Sequence, residues 1–320
     1  MDLHLILDNL TNPALLFFFL GIIAVQLKSD LEIPANSSKF ISLYLLFSIG
    51  FKGGQELAHS ELNLEIIWSL LFGIFLALLV PLYTFFILKR KFSIENAGAI
   101  AAAYGSVSAV TFVTAVSFLE IEQITFGGHM VAVMALMEAP SIIIGVLLMA
   151  VFAKSLKKDF EMGKIVHHSL TNGSVLLILG SLVIGFLASD AQARGIAPFT
   201  TDIFKGFLAV FLLDMGITSG KKLSSFLKKG GFASLFSIVI PIVNGCAVAI
   251  ASGLITESVG NRFLFAILAA SASYIAVPAA MRLAAPKANP SLYIPMALAI
   301  TFPFNITLGM PIYLYIIQMT

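Results

Sequence analysis

Two short stretches of this chain carry residue types whose spacing suits ion binding in an apolar setting. They read Gly105-Ser106-Val107-Ser108-Ala109-Val110-Thr111 and Ser271-Ala272-Ser273-Tyr274-Ile275-Ala276-Val277-Pro278, each in the middle of a long hydrophobic segment. Proline removes a backbone donor and clashes with the preceding turn, while glycine and paired serines loosen main-chain hydrogen bonding. Both segments are therefore predicted to be helices interrupted near mid-length. The restart of a helix aims unpaired N–H groups and partial positive charge at an anion, and freed carbonyls and hydroxyls suit a hard cation such as Na⁺. In hydrocarbon an unsatisfied peptide group costs several kcal/mol, so an unwound stretch persists only where it is buried or lines a wet cavity. Small residues also serve close helix packing, but their recurrence in both halves of the chain favours a site.

Charged and amide side chains at membrane depth extend the candidate set. Glu138 precedes Pro140, Asp214 lies in Leu212-Leu213-Asp214-Met215-Gly216, and Asn305 follows Pro303 by two residues. A carboxylate at such depth is expensive and usually faces a bundle interior, a cation or a proton relay. Structural alternatives are that Glu138 bonds backbone freed by Pro140 and that Asp214 is close enough to one end of its helix to be hydrated. Asn244 and Lys52 are weaker candidates, with helix packing and interface anchoring as their ordinary roles.

The elements that must position these residues repeat. After an offset of roughly 160 residues the second half restates the landmarks of the first: Gly21 as Gly180, Gly50 with Gly54 as Gly216 with Gly220, Ser106 with Ser108 as Ser271 with Ser273, and Pro140 as Pro303. Five apolar spans fall in each half, at 12–27, 37–56, 65–88, 96–119 and 129–153, then at 174–189, 203–220, 231–255, 262–284 and 291–318. Five is odd, so the second copy enters the membrane from the opposite side. The expected fold is an all-α integral membrane protein of ten transmembrane helices in a 5+5 inverted repeat, with the fourth and ninth discontinuous. Residues 1–153 form the first repeat, 154–173 a cytoplasmic linker and 174–320 the second repeat.

Charge placement tests that count. Connections after odd-numbered spans hold 15 of the 19 Lys and Arg residues, and the other side receives only Lys52, Arg194, Lys205 and Arg262. By the positive-inside rule both termini are extracytoplasmic. Of the 320 residues, 59% are hydrophobic and 11% charged, which excludes a water-soluble globular domain and gives no surface for nucleic acid. Cys246 is the single cysteine, so neither a disulfide nor a thiolate metal site is expected. The N-terminal apolar run lacks a basic n-region and a small-residue cleavage site, and is expected to be a retained helix. A membrane-embedded enzyme would need paired catalytic acids or a histidine cluster at one depth. The five histidines, His4, His59, His129, His167 and His168, lie mainly near interfaces or in loops, so no enzyme is expected.

Arg282, Pro286, Ala288-Asn289-Pro290-Ser291 and Tyr293-Ile294, with Ile49-Gly50, Gly53-Gly54 and Gly105-x-Val107-Ser108, make the chain resemble the SbtA-type sodium-dependent bicarbonate transporter family over nearly its whole length. That resemblance implies a gate domain from spans 1, 2, 6 and 7 and a core domain from spans 3 to 5 and 8 to 10. It also implies bicarbonate and Na⁺ at the crossing of the fourth and ninth helices, elevator-type movement, a homotrimer and a place in the cell (inner) membrane. Family members carry Ser-Gly-Ser-Thr where this chain has Ser108-Ala109-Val110-Thr111, Ser-Ser-Ser-Asp where it has Ser271-Ala272-Ser273-Tyr274, and Asp where Glu138 stands. Cyanobacterial relatives have a long insertion between the repeats, and the short connection here does not favour a PII-like regulator.

The resulting expectation is a secondary active transporter that imports bicarbonate or a similar small anion with Na⁺. Gly105, Ser106, Ser108, Ser271, Ser273 and Tyr274 would hold the anion, and Thr111, Glu138 and Asn305 the Na⁺. Alternatives are another small anion or carboxylate as cargo, H⁺ coupling through Glu138, or a membrane sensor that moves nothing.

Overall fold

The computed structural model describes residues 9–60, 63–152, 163, 167, 171–227 and 231–320. The expected 154–173 linker lies outside the described residues except at 163, 167 and 171–173. Among the described residues all regular structure is helical: α1 (Pro13–Gln26), α2 (Ala35–Ala58), α3 (Leu64–Leu88), α4 (Ile94–Gly105), α5 (Ala109–Ile121), α6 (His129–Phe152), α7 (Gly173–Leu187), α8 (Asp190–Ala197), α9 (Phe204–Leu227), α10 (Gly231–Ala251), α11 (Val259–Ala270), α12 (Ala276–Ala284) and a final helical run α13 (Pro290–Met319) that widens to π geometry at Met296–Thr301 and Asn305–Gly309.

Six helical stretches are long and apolar enough to cross a membrane: Leu64–Leu88, Ile94–Ile121, His129–Phe152, Asp190–Leu223, Gly231–Leu254 and Pro290–Met319. Pro13–Gln26, Gly173–Leu187 and Val259–Ala270 are apolar but shorter. Local chemistry sets where these helices begin. Asn12 accepts from the Ala14 N–H at 2.9 Å ahead of Pro13, Asn63 from Ile66 at 3.1 Å, and Asn172 from Ser174 at 2.9 Å. Asn289 caps α13 through the Ser291 N–H at 3.0 Å, with Pro290 at the first position, as its sequence predicts.

One helix was not expected. Residues 190–202 read as a connection, yet Asp190–Ala197 is helical behind a reciprocal cap in which Ser189 and Gln192 satisfy each other's backbone N–H groups. The Ser-x-x-Gln spacing is the local signal for it.

Packing falls into groups. Helix α2 lies along α7 and α1 along α9, while α3 packs with α4 and α6, and α10 with α11. Glycines set the first two pairings. A Cβ at Gly21 would meet Ile217 N at 2.7 Å, and one at Gly54 would meet Phe186 N at 2.7 Å, so backbones touch directly at Gly21/Gly216 and Gly54/Gly185. Gly180, matched to Gly21 in the sequence, faces open space; Gly185 occupies the tight crossing.

Burial distinguishes the interrupted helices from their neighbours. The Ile94–Ile121 stretch is 89% buried against 39% for Leu64–Leu88, and every residue of Gly260–Ala270 is buried. Trp68, Phe75, Leu79 and Phe86 are exposed along α3, the apolar outside of a bundle that meets lipid.

Candidate functional site

Both predicted interruptions are present. Helix α4 ends at Gly105 and α5 restarts at Ala109, while α11 ends at Ala270 and α12 restarts at Ala276. Each break exposes backbone groups that hydrogen-bond to the other break or to nearby side chains. The Ser108 N–H donates to the Ser271 hydroxyl at 3.0 Å, and the Ser273 N–H donates to the Ala103 carbonyl at 2.8 Å. Ser141 donates its hydroxyl to the Gly105 carbonyl at 2.5 Å, and the Asn305 amide donates to the Ala270 carbonyl at 2.8 Å. Asn244 does the same for Ala269 at 3.1 Å, its own Oδ1 accepting from Tyr83. The two unwound segments thus satisfy each other within an apolar bundle, where open backbone groups are costly.

Beside this crossing lies a cavity of about 20 Å³, room for a water-sized group, lined by Ser108, Ala109, Val110, Glu138, Ser273, Tyr274, Ile275 and Ala276. It receives the first residues of both restarted helices. Ser108 caps α5 by accepting from the Thr111 N–H at 3.1 Å, and the Ser108 carbonyl accepts from Phe112 at 3.0 Å. Ala109 and Val110, whose N–H groups precede the first intrahelical bond of α5, line the cavity. On the other side Ser273 accepts from Val277 at 3.4 Å, and Ala276 lines the cavity. Two converging helix starts make an electropositive concavity suited to a small anion.

Glu138 supplies the opposite charge. Its carboxylate lines the same cavity and, among the described residues, has no hydrogen-bond or ion-pair partner. The alternative that it bonds backbone freed by Pro140 is not what the structure contains, since Glu138 makes no hydrogen bond among the described residues.

Of the nine residues expected from sequence, Ser108, Ser273, Tyr274 and Glu138 line the cavity. Gly105 is held behind it, against the Pro81 ring. Ser106 is fully buried with an unpartnered hydroxyl, and Ser271 spends its hydroxyl on Ser108 N and on the Leu268 carbonyl at 2.9 Å. Of the expected Na⁺ trio, Glu138 alone lines the cavity. Thr111 is buried inside the first turn of α5, and Asn305 is wholly buried, its amide on Ala270 and its oxygen 3.2 Å from the Tyr313 hydroxyl. Both belong to the frame of the crossing, because a carbonyl released at the end of α11 claims the amide first. Ser42 on α2 and Ser174 on α7 also line the cavity and were missed, since single serines within apolar helices carry no sequence signal.

A larger cavity of about 430 Å³ adjoins the first, sharing Ser42, Ser174, Phe211, Tyr274 and Ile275 with it. It reaches the surface at Ala35 and Lys39, and Asp214 forms part of its wall. Farther along α2, about 20 Å from Lys39 by helical rise, a separate cavity of about 360 Å³ is lined by Lys52, Glu56, Glu120 and Gln123. There Glu120 is held by Lys52 at 3.0 Å and by Lys205 at 3.8 Å.

A family model described as the Na⁺-dependent bicarbonate transporter superfamily matches residues 13–318. No curated protein matches the chain. With a match that runs from the start of α1 to the last turn of α13, and with two interrupted helices meeting beside a half-buried acid, the chain belongs to the Na⁺-dependent bicarbonate transporter superfamily.

Proposed function

We propose that this protein is a secondary active transporter that imports bicarbonate, or a similar small monovalent anion, together with Na⁺. The observation that carries this reading is a small cavity lined by the starts of two helices and, among the described residues, by one carboxylate without a partner, Glu138; with room for one water-sized group in this state, it must widen to admit both ions. The N–H groups of Ala109, Val110 and Ala276, with the hydroxyls of Ser108, Ser273 and Tyr274, would take the anion. Na⁺ would sit against Glu138 and the neighbouring hydroxyl oxygens, oxygen ligands being what a hard cation needs. An anion beside Glu138 is unfavourable without that cation, so each ligand raises the other's affinity. This reciprocity is the thermodynamic content of symport.

In this reading the chain makes ten spans in two inverted five-helix repeats, sits in the cell membrane with both termini outside the cytoplasm, and works as a trimer. Symmetric hydrogen bonds support the repeat. Ser141 donates to the Ala77 carbonyl at 2.8 Å, and Thr301 donates to the Ser237 carbonyl at 2.7 Å, each pair being offset by the same interval. The glycine crossings α1/α9 and α2/α7 support a stationary gate of those four helices, against which the remaining core slides in an elevator motion. On this view the 430 Å³ cavity is the cytoplasmic entrance, on the lysine-rich side. The short connection between repeats speaks against a PII-like regulator.

A second reading, proton coupling through Glu138, has one observation on its side, the absence of Thr111 and Asn305 from the cavity lining. The deciding experiment is uptake of labelled bicarbonate into proteoliposomes with an imposed Na⁺ gradient, an imposed pH gradient, or neither. Na⁺-driven accumulation is expected. Accumulation that follows only the pH gradient replaces Na⁺ by H⁺, and no uptake under any condition refutes transport of bicarbonate.

A further inference from the structure

Resting on that transport reading, we propose that Asp214 is a charge-selecting residue of the vestibule on the lysine-rich side, a fixed carboxylate that disfavours the anion and favours the cation when the pocket opens there. Asp214 is 7% exposed, on α9, and its Oδ2 accepts from the Ser38 hydroxyl of α2 at 2.5 Å. Among the described residues no lysine or arginine forms an ion pair with it. Lys221 acts on it only through space, and a carboxylate at this depth without a directly bonded cation is costly and marks an ion path more often than a structural contact.

Its placement gives the path. Asp214 and Ser38 form the wall of the 430 Å³ cavity, whose inner end is Tyr274 of the small pocket. The Tyr274 hydroxyl lies 3.9 Å from the sulfur of Met215, the residue next to Asp214. Lys39 lines the same cavity but is exposed at its mouth, and Lys221 is two turns further along α9, about 10 Å away by helical rise. Passing inward, an ion meets Lys39, then Asp214, then Tyr274, with Glu138 on the far side of the small cavity. Asp214 therefore contributes the last full charge before the pocket.

The residue also stands on a different body from the pocket. Asp214 and Ser38 belong to α9 and α2, which close one wall of the pocket through Phe211 and Ser42, whereas the pocket's ion-binding candidates Ser108, Glu138, Ser273 and Tyr274 belong to α5, α6 and the α11–α12 break. Sliding the pocket along the gate would carry it away from this charge, whose influence falls with distance. The anion would then bind more weakly on this side than on the other, which speeds its discharge and slows return. A ligand biases a two-state carrier only through such a difference between states.

The test reads vestibule charge with and without transport. In a Cys246→Ser background, Ser42→Cys places a thiol on the cavity wall, and its modification rates by a cationic and an anionic methanethiosulfonate are compared. The cation-to-anion rate ratio should fall by about threefold or more in Asp214→Asn, which still offers Ser38 an acceptor, and hold in Asp214→Glu. Asp214→Ser provides a second neutral variant. In oriented vesicles without the thiol, Asp214→Asn should lower the half-saturating bicarbonate concentration on the lysine-rich side by about threefold or more and leave the other side unchanged. An unchanged labelling ratio, or an equal shift on both sides, overturns the proposal. Absence of bicarbonate uptake by the unsubstituted protein, with the ratio still collapsing in Asp214→Asn, refutes the transport reading and leaves the charge-selecting role in place.

Discussion

Asn305 separates a ligand from a clamp. Its Nδ2 donates to the Ala270 carbonyl at 2.8 Å, at the point where α11 stops, and its Oδ1 lies 3.2 Å from the Tyr313 hydroxyl. Tyr313 keeps a second partner, the Pro241 carbonyl at 3.0 Å. Asn305→Asp preserves an oxygen for any cation but removes the donor and sets a carboxylate against a carbonyl. A buried carbonyl left without its partner costs about 1–3 kcal/mol. At about 2–4 °C per kcal/mol for a domain of this order, the midpoint of thermal unfolding should fall by about 2–12 °C. Asn305→Ala loses the same donor and should fall by a similar amount. Both are measured by thermal unfolding of purified protein in detergent, with and without Na⁺. The increment in stability that Na⁺ provides should be equal in Asn305→Asp and the unsubstituted protein. If Asn305→Ala keeps its unfolding temperature but loses the Na⁺ increment, while Asn305→Asp retains both, then Asn305 is a ligand and the clamp is refuted.

Glu138→Gln should raise the Na⁺ concentration for half-maximal uptake at least about tenfold, since the one carboxylate that lines the small cavity among the described residues is neutralised; an unchanged Na⁺ dependence would place the cation elsewhere. Gly54→Val should prevent recovery of folded protein, because its Cβ would fall on the backbone of α7, whereas Gly180→Ala should be recovered normally, as read from monodisperse yield on gel filtration. Glu120→Gln removes the charge that holds Lys52 and Lys205, each ion pair worth about 0.2–1 kcal/mol when partly exposed, so bicarbonate half-saturation should shift by less than about thirtyfold and the difference should shrink in high salt. A larger, salt-insensitive change would mean that Glu120 contacts the transported ions.

Much of the architecture is legible because the membrane enforces it. Gly105, the paired serines and Pro278 mark the interruptions, since hydrocarbon tolerates few reasons for such residues at mid-span. Asn289-Pro290 announces its helix by capping chemistry alone. What sequence cannot decide is which polar atom meets which. Asn305 and Thr111 look like cation ligands by type and depth, but a released carbonyl and a first-turn position absorb them. Glu138 stays available because no donor among the described residues reaches its carboxylate, while Ser141, three residues on, serves the Gly105 carbonyl at the break. The π stretches of α13 were equally hidden. Pro295, Pro303 and Pro311 each delete a donor, but whether the ladder kinks or widens depends on the neighbours that pack against it.

The reciprocal bond between the two interruptions has a consequence for biosynthesis. The Ser108 amide waits for a hydroxyl 163 residues downstream, and the Ser273 amide finds its carbonyl in a helix inserted long before. At about 5–20 residues per second, a ribosome needs on the order of 8–33 s to supply that partner. During this interval the first half resides in the bilayer with an open polar seam, in need of water, lipid headgroups or an insertase to shelter it. The N-terminal half expressed alone would retain that seam permanently, and the two halves expressed together would each complete the other.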